Sequence, residues 1–171
     1  LLLAQLPDMT PEQLLPVLNA PMVTFNPGTI ILKKGAKPDY IYLILSGVAE
    51  FISSEFEIQN YLSNGCFIGD VSLLKNIAST GTYRAVSYVQ ALAFSASAYR
   101  SFLEKHQLVG WMKNTLDKVH FLQNTALFGE GISFMAQSAI SQKMRSRHYE
   151  EGETVVIDES RKLCLVKRGE V

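Results

Sequence analysis

The sequence predicts a mainly β domain of the jelly-roll class with flanking helices. Three observations lead there. Between Met22 and Phe94, short apolar runs alternate with turn signals roughly every 8–12 residues, the mark of a sandwich or barrel. After Phe94 the strand signals stop, and apolar residues fall at helical spacing as far as about Gln123. Beyond that the opening pattern begins again, as in a repeat protein.

Taken in order, Thr10-Pro11-Glu12-Gln13 opens a short helix. Thr10 caps it, Pro11 suits the first helical position, and Gln13 completes a capping box. Leu14, Leu15, Val17 and Leu18 supply its apolar face, while Pro16 and Pro21 limit its length. Asn26-Pro27-Gly28 is a turn. Strands are expected over 29–32, 40–45, 48–52 and 58–62, with one or two more between 83 and 94. A helix over 96–106 places Tyr99, Phe102 and Leu103 on one side. A longer one over about 108–123 carries Leu108, Met112, Leu116, Val119 and Leu122 near helical spacing. That stripe suits either docking on the barrel or a dimer or relay helix. A further helix is expected over 132–144.

The repeat sets the domain organisation. Tyr149-Glu150-Glu151-Gly152-Glu153-Thr154-Val155-Val156 echoes the run from Phe25 to Leu32, and Leu163 to Gly169 echoes Ile41 to Gly47. Gly28 to Gly152 spans 124 positions and Gly47 to Gly169 spans 122, so the second copy has a loop two residues shorter. A first domain is expected over 1–124 and the start of a second, incomplete copy over 125–171. The few strands of that second copy cannot close a barrel alone and must pair elsewhere or lie exposed as an edge. The missing initiator methionine and the stop at Val171 point to a piece of a longer protein.

Composition narrows the function classes. Hydrophobic residues are 47% and charged residues 19%, enough apolar material for one sizeable core. Sixteen Lys and Arg balance sixteen Asp and Glu, which argues against a nucleic-acid or anionic-membrane surface. No apolar run approaches the roughly 20 residues of a membrane span. Leu1-Leu2-Leu3 lacks the basic flank of a signal peptide. Cys66 and Cys164 fit no metal spacing and no disulfide framework, so two free thiols in a reducing, cytoplasmic compartment are expected. His106, His120 and His148 stand apart without ligand partners, and Ser87 and Ser95 lack a nucleophile-elbow context. No enzyme activity, metal or cofactor is expected.

The most informative stretch is Gly65-Cys66-Phe67-Ile68-Gly69-Asp70-Val71-Ser72-Leu73-Leu74. A strand ends, a glycine turns the chain, and a carboxylate precedes an apolar run. Free amides at such a helix start can bind a phosphate, and the carboxylate can accept hydrogen bonds from sugar hydroxyls. The plainer reading makes Asp70 a favourable early acid of an ordinary helix.

Together with Asn26-Pro27-Gly28, the run Ile41 to Gly47 and Tyr83-Arg84-Ala85, this stretch resembles the cyclic-nucleotide-binding domain family. That family includes the catabolite activator protein and the regulatory subunits of cyclic-AMP-dependent protein kinase. The resemblance runs from Phe25 to Leu103, and the start of the same domain recurs from Leu127. It implies a double-stranded β-helix, or jelly roll, with a short phosphate-binding helix across the pocket. It also implies a regulatory, signal-transducing role with cyclic AMP or cyclic GMP as ligand. In the family a phenylalanine-glycine-glutamate stretch opens that helix, and the glutamate binds the ribose 2′-hydroxyl. An arginine nine or ten residues later grips the cyclic phosphate. Here Asp70 replaces the glutamate, and Ser79 and Thr80 stand where the arginine belongs. Arg84 would need about five inserted residues to serve, so it reads as a strand or surface residue.

The resemblance therefore implies a ligand-binding set of Gly69, Asp70, Val71, Ser72, Ser79 and Thr80, with weak or altered nucleotide binding. The alternative is a degenerate domain serving as an interaction scaffold, with a homodimer through the helix at about 108–123. A second barrel start stands where the catabolite activator family has its helix-turn-helix, so DNA binding by this chain is not expected.

Overall fold

The computed structural model describes residues 10–53, 59–128, 132, 134–154 and 163–168. The first helix, α1 (Pro11–Leu18), starts as its sequence demands. The Gln13 N–H donates to Thr10 Oγ1 at 3.4 Å, and the Thr10 N–H donates to Gln13 Oε1 at 2.8 Å. Pro16 lies inside α1 rather than ending it, and the helix stops two residues later at Leu18.

Eight strands follow: β1 (Met22–Phe25), β2 (Ile30–Leu32), β3 (Tyr40–Ser46), β4 (Ala49–Ile52), β5 (Gln59–Leu62), β6 (Phe67–Ile68), β7 (Thr82–Ala85) and β8 (Val89–Ser95). They form two antiparallel four-stranded sheets, ordered β1-β8-β3-β6 and β2-β7-β4-β5. Strands distant in sequence lie side by side in each sheet, the jelly-roll arrangement. Expected strands appear at β2, β3, β4, β5, β7 and β8. Two strands, β1 and β6, have no counterpart among those expected. Each forms through a distant partner: β1 pairs with β8 from Met22↔Leu92 to Phe25↔Val89, and β6 pairs with β3 at Tyr42↔Ile68 and Leu43↔Phe67. Short strands of this kind owe more to their partners than to their own propensity.

The core has two parts. Ile44, Ala49, Cys66, Ile68, Ala85 and Val89 pack between the sheets. Ile41, Leu43, Phe67, Leu92 and Phe94 pack on the other face of the first sheet, against helix residues Tyr99, Leu103, Leu108 and Met112. Strand β3 is therefore covered on both faces, which explains why Tyr40 to Leu45 reads as a continuous apolar run instead of an alternating one.

The helices are α2 (Asp70–Lys75), α3 (Ala96–Lys105), α4 (Val109–Gln123) and α5 (Phe134–Lys143). The α4 stripe docks within the chain. Met112, Thr115, Val119 and Leu122 are buried, α5 packs alongside, and Lys118 Nζ donates to the Met144 carbonyl at 2.8 Å. Of the two roles expected for this stripe, docking within the chain is the one seen for Met112, Val119 and Leu122, while Leu116 is half-buried.

The second-copy region gives a mixed outcome. Its turn forms: the Glu153 N–H donates to the Glu150 carbonyl at 3.0 Å with Gly152 at φ +81°. The Thr29 N–H donates likewise to the Asn26 carbonyl at 3.1 Å with Gly28 at φ +84°. Residues 163–166, in the run that echoes Ile41 to Gly47, are not in a strand, and Leu163 and Val166 are exposed. A strand needs a neighbour for its backbone groups, and the described residues supply none there. The other strand expected of this copy, near 155–156, lies outside the described residues.

Candidate functional site

The turn after β6 carries the chain from sheet to helix. Gly69 takes φ of +92°, and α2 begins at the next residue. Glycine reaches that conformation without strain. A Cβ there would also lie 3.1 Å from Pro38 Cβ and 3.3 Å from the Tyr40 carbonyl oxygen. The glycine both turns the chain and lets it pass close to residues 38–40. The turn delivers Asp70 and Ser72 to the interior, with Val71 half-buried between them.

Burial dominates the behaviour of Asp70. Its carboxyl is pushed from the ordinary 3.8 up to about 6 by desolvation, and backbone N–H groups at Val71 and at Asp70 itself offset only part of this. The first amides of α2 therefore serve the chain's own carboxylate. Its neighbours respond. Burial, then the Asp70 charge, raises the Tyr83 and Tyr99 phenols. The Cys66 thiol is pushed to about 11, mainly by burial, with a Ser63 backbone hydrogen bond opposing and the Asp70 charge adding. A thiol so protonated is a packing residue rather than a reactive one.

At the far end of the segment, Ser79 is buried and its polar groups are engaged. Its N–H donates to the Ala36 carbonyl at 2.8 Å, its carbonyl accepts from the Gly35 N–H at 2.8 Å, and its hydroxyl donates to the Gly81 carbonyl at 2.7 Å. Thr80 is exposed. Of the residues expected to line the site, the structure brings Asp70, Ser72 and Ser79 inside, leaves Val71 halfway and puts Thr80 at the surface.

Two features escaped the sequence. The rings of Phe51 of β4 and Tyr83 of β7 pack with centroids 4.8 Å apart and planes tilted by 49°. Gly81 lies against Phe51: a Cβ there would come within 2.5 Å of the ring and of the Ile52 carbonyl oxygen. Gly81→Ala should therefore displace Phe51 and lower stability by about 1–3 kcal/mol, the usual cost of overpacking. Its urea midpoint should fall; an unchanged midpoint would show that Phe51 moves freely. The second feature is an ion pair. Arg84 lies directly opposite Glu50 in the β4–β7 ladder, and Arg84 Nε donates to Glu50 Oε1 at 2.6 Å. Arg84 is thus the strand residue the sequence suggested.

Helix α2 is also tied to the helices behind it. Lys75 Nζ lies 3.2 Å from Asp117 Oδ1 on α4, and Arg100 Nη2 of α3 donates to the Leu73 carbonyl at 3.1 Å. A cleft of about 50 Å³ opens there, lined by Leu73, Leu103, Val109 and neighbours. It has room for a few waters, and it stands on the helix side, away from Asp70 and Ser79. Among the described residues no cluster of three or more His, Cys, Asp and Glu could hold a metal, and no helix is long and apolar enough to cross a membrane.

Comparison with known proteins agrees with this geometry. Residues 22–106 match the cyclic nucleotide-binding domain. The chain is 24% identical over 145 residues to a cAMP-dependent protein kinase regulatory subunit of Eremothecium gossypii, covering 84% of this chain and 30% of that protein. It spans 30% or less of the length of the curated relatives it matches. Among solved structures, the regulatory subunit of a cAMP-independent protein kinase A from Trypanosoma cruzi, bound to guanosine, superposes with a TM-score of 0.58 at 17% identity. It covers 78% of this chain and 46% of that one. The Thermus thermophilus catabolite activator protein superposes with a TM-score of 0.51 at 20% identity, covering 68% and 63%. The likeness to these structures is one of fold. Match, strand order and the glycine-turned acid at Asp70 together lead to one conclusion: residues 22–106 belong to the cyclic nucleotide-binding domain family.

Proposed function

We propose that this chain is a regulatory ligand-sensing module whose phosphate grip is weakened. Gly69, Asp70, Val71, Ser72, Ser79 and Thr80 form the ligand end of the first domain, over 1–124. The observation that carries the reading is Ser79. By spacing, it and Thr80 stand where the family's arginine belongs, and the N–H, carbonyl and hydroxyl of Ser79 all bond within the chain. The glycine turn and the acid remain. The ion pair from Lys75 to Asp117 and the bond from Arg100 to Leu73 supply a path by which occupancy of the turn reaches α3 and α4. Coupling of this kind requires ligand to favour one arrangement of those helices over another. Residues 125–171 are the start of a second copy; the matched turns at Gly28 and Gly152 support that reading.

Calorimetric titration with cyclic AMP and cyclic GMP tests the proposal. The chain should bind either only at millimolar concentration. Ser79→Arg should bind one of them about 10–100-fold more tightly, the worth of a charged hydrogen bond or two. Circular dichroism would confirm that the variant is folded. Failure of a folded Ser79→Arg to bind either nucleotide would favour the other reading, a domain that has become an assembly scaffold.

A further inference from the structure

The side chains that α2 buries are Asp70 and Ser72, and both are polar. Val71, Leu73 and Leu74 are half-buried. The other ties of this helix lie at the surface. Lys75 and Asp117 pair with both side chains about half exposed, and the exposed Arg100 bonds the Leu73 carbonyl. Exposed pairs add little stability. A residue in the left-handed region bounds each end, Gly69 at φ +92° and Asn76 at φ +53°. A short helix with so little buried apolar surface belongs to the part of a fold that opens first. Its first residue is also the least suited to burial. Asp70 meets Tyr83 of β7, Tyr99 of α3 and Cys66 just before β6, and none of these supplies a positive charge. On the surrounding elements, Arg84 pairs with Glu50, while Glu104 and Lys113 border the cleft behind α2. Lys33, Lys34, Lys37 and Asp39 are exposed on the loop that passes Gly69. None of these cations forms an ion pair with Asp70. A carboxylate buried without a cation costs far more than the neutral acid. Opening of α2 returns it to water and leaves both sheets intact.

We infer that α2 is a pH-sensitive latch, held closed by protonated Asp70 and opened, by pivoting at the turns of Gly69 and Asn76, when that carboxyl ionises. The latch needs no ligand, so it goes beyond the sensing reading and stands whether or not a nucleotide binds. The folded carboxyl titrates near 6 and an ordinary one near 3.8, so the closed form holds the proton more tightly than the open form. Opening is therefore rarest below about pH 4, grows as pH rises, and levels off above about 6.

Hydrogen exchange on the full chain tests the latch, with each rate referred to the intrinsic rate at the same pH. The Leu73, Asn76 and Ile77 amides report on it, since they bond to the Gly69, Leu73 and Ser72 carbonyls. Their opening should become about tenfold more frequent between pH 5 and pH 7. At pH 7 it should be about 100-fold or more as frequent as the opening of β8 amides paired with β3. It should also respond little to low urea, because a local opening exposes little surface. Asp70→Asn should abolish the rise with pH and leave the α2 amides as protected as they are in the parent at low pH. The carbon-13 shift of the Asp70 carboxyl in the parent should titrate at the pH where the rise levels off, which tests the assignment without a substitution. Three results each overturn the inference. They are α2 amides as well protected as those of β8, an opening that does not change with pH, and a rise that survives in folded Asp70→Asn.

Discussion

Replacing Arg84 by methionine should lower the folding stability by about 2–3 kcal/mol, measured by urea denaturation. The expectation rests on asymmetric burial. The Glu50 side chain is 4% exposed, while Arg84 is 47% exposed and bonds it through two guanidinium nitrogens. Removing the cation from a buried carboxylate costs more than the pair is worth, because the desolvation of the carboxylate remains. The exposed guanidinium is partly screened by water, so the cost belongs at the lower end of the range for buried pairs. Methionine keeps most of the apolar stem, which separates lost charge from lost packing. The double change Glu50→Gln with Arg84→Met should recover much of the loss, since both ends of the pair go together. A single variant within about 0.5 kcal/mol of the parent would mean that the pair contributes nothing measurable.

The same pair shows where reading the sequence stops. Thr10 with Gln13, and Asn26-Pro27-Gly28, were legible because their chemistry is local: cap and turn involve residues at most three apart. The run at β3 was legible because burial on both faces leaves a continuous apolar signature. Glu50 and Arg84 lie 34 positions apart and meet only through the register of β4 on β7, which no pattern within either strand specifies. Strands β1 and β6 went unseen for the same reason. At the site, Gly69 and Asp70 stood out because a turn with positive φ calls for glycine. The destination of the Asp70 side chain did not, since Tyr83 and Tyr99 reach it from distant elements. That Ser79 and Thr80 fall where the resemblance puts an arginine follows from spacing alone. The engagement of Ser79 with Ala36 and Gly81 depends on a loop more than forty positions away closing over it. The echo of Asn26-Pro27-Gly28 around Gly152 was legible as a pattern, and both stretches form a turn, but the run at 163–166 lacks, among the described residues, the neighbour that makes a strand.

Asp70→Asn should make the protein more stable than its parent above pH 6 and remove this group's share of the pH dependence between 4 and 7. The folded carboxyl titrates near 6 and the ordinary carboxyl near 3.8, so the folded state holds its proton more tightly than the unfolded state. Stability from this group is therefore fully present below about pH 4 and is lost as pH rises through about 6. The gap corresponds to roughly 3 kcal/mol, with about 1 kcal/mol of latitude either way. Asparagine keeps the shape and takes no charge, so the variant escapes that loss. Tyr83, Tyr99 and Cys66, the groups whose titration the Asp70 charge affects, stay protonated throughout this range because their own values are raised. The difference between parent and variant thus isolates Asp70. Urea midpoints of the two proteins from pH 4 to pH 8 measure it directly. Curves that stay parallel would show the carboxylate to be solvated or paired.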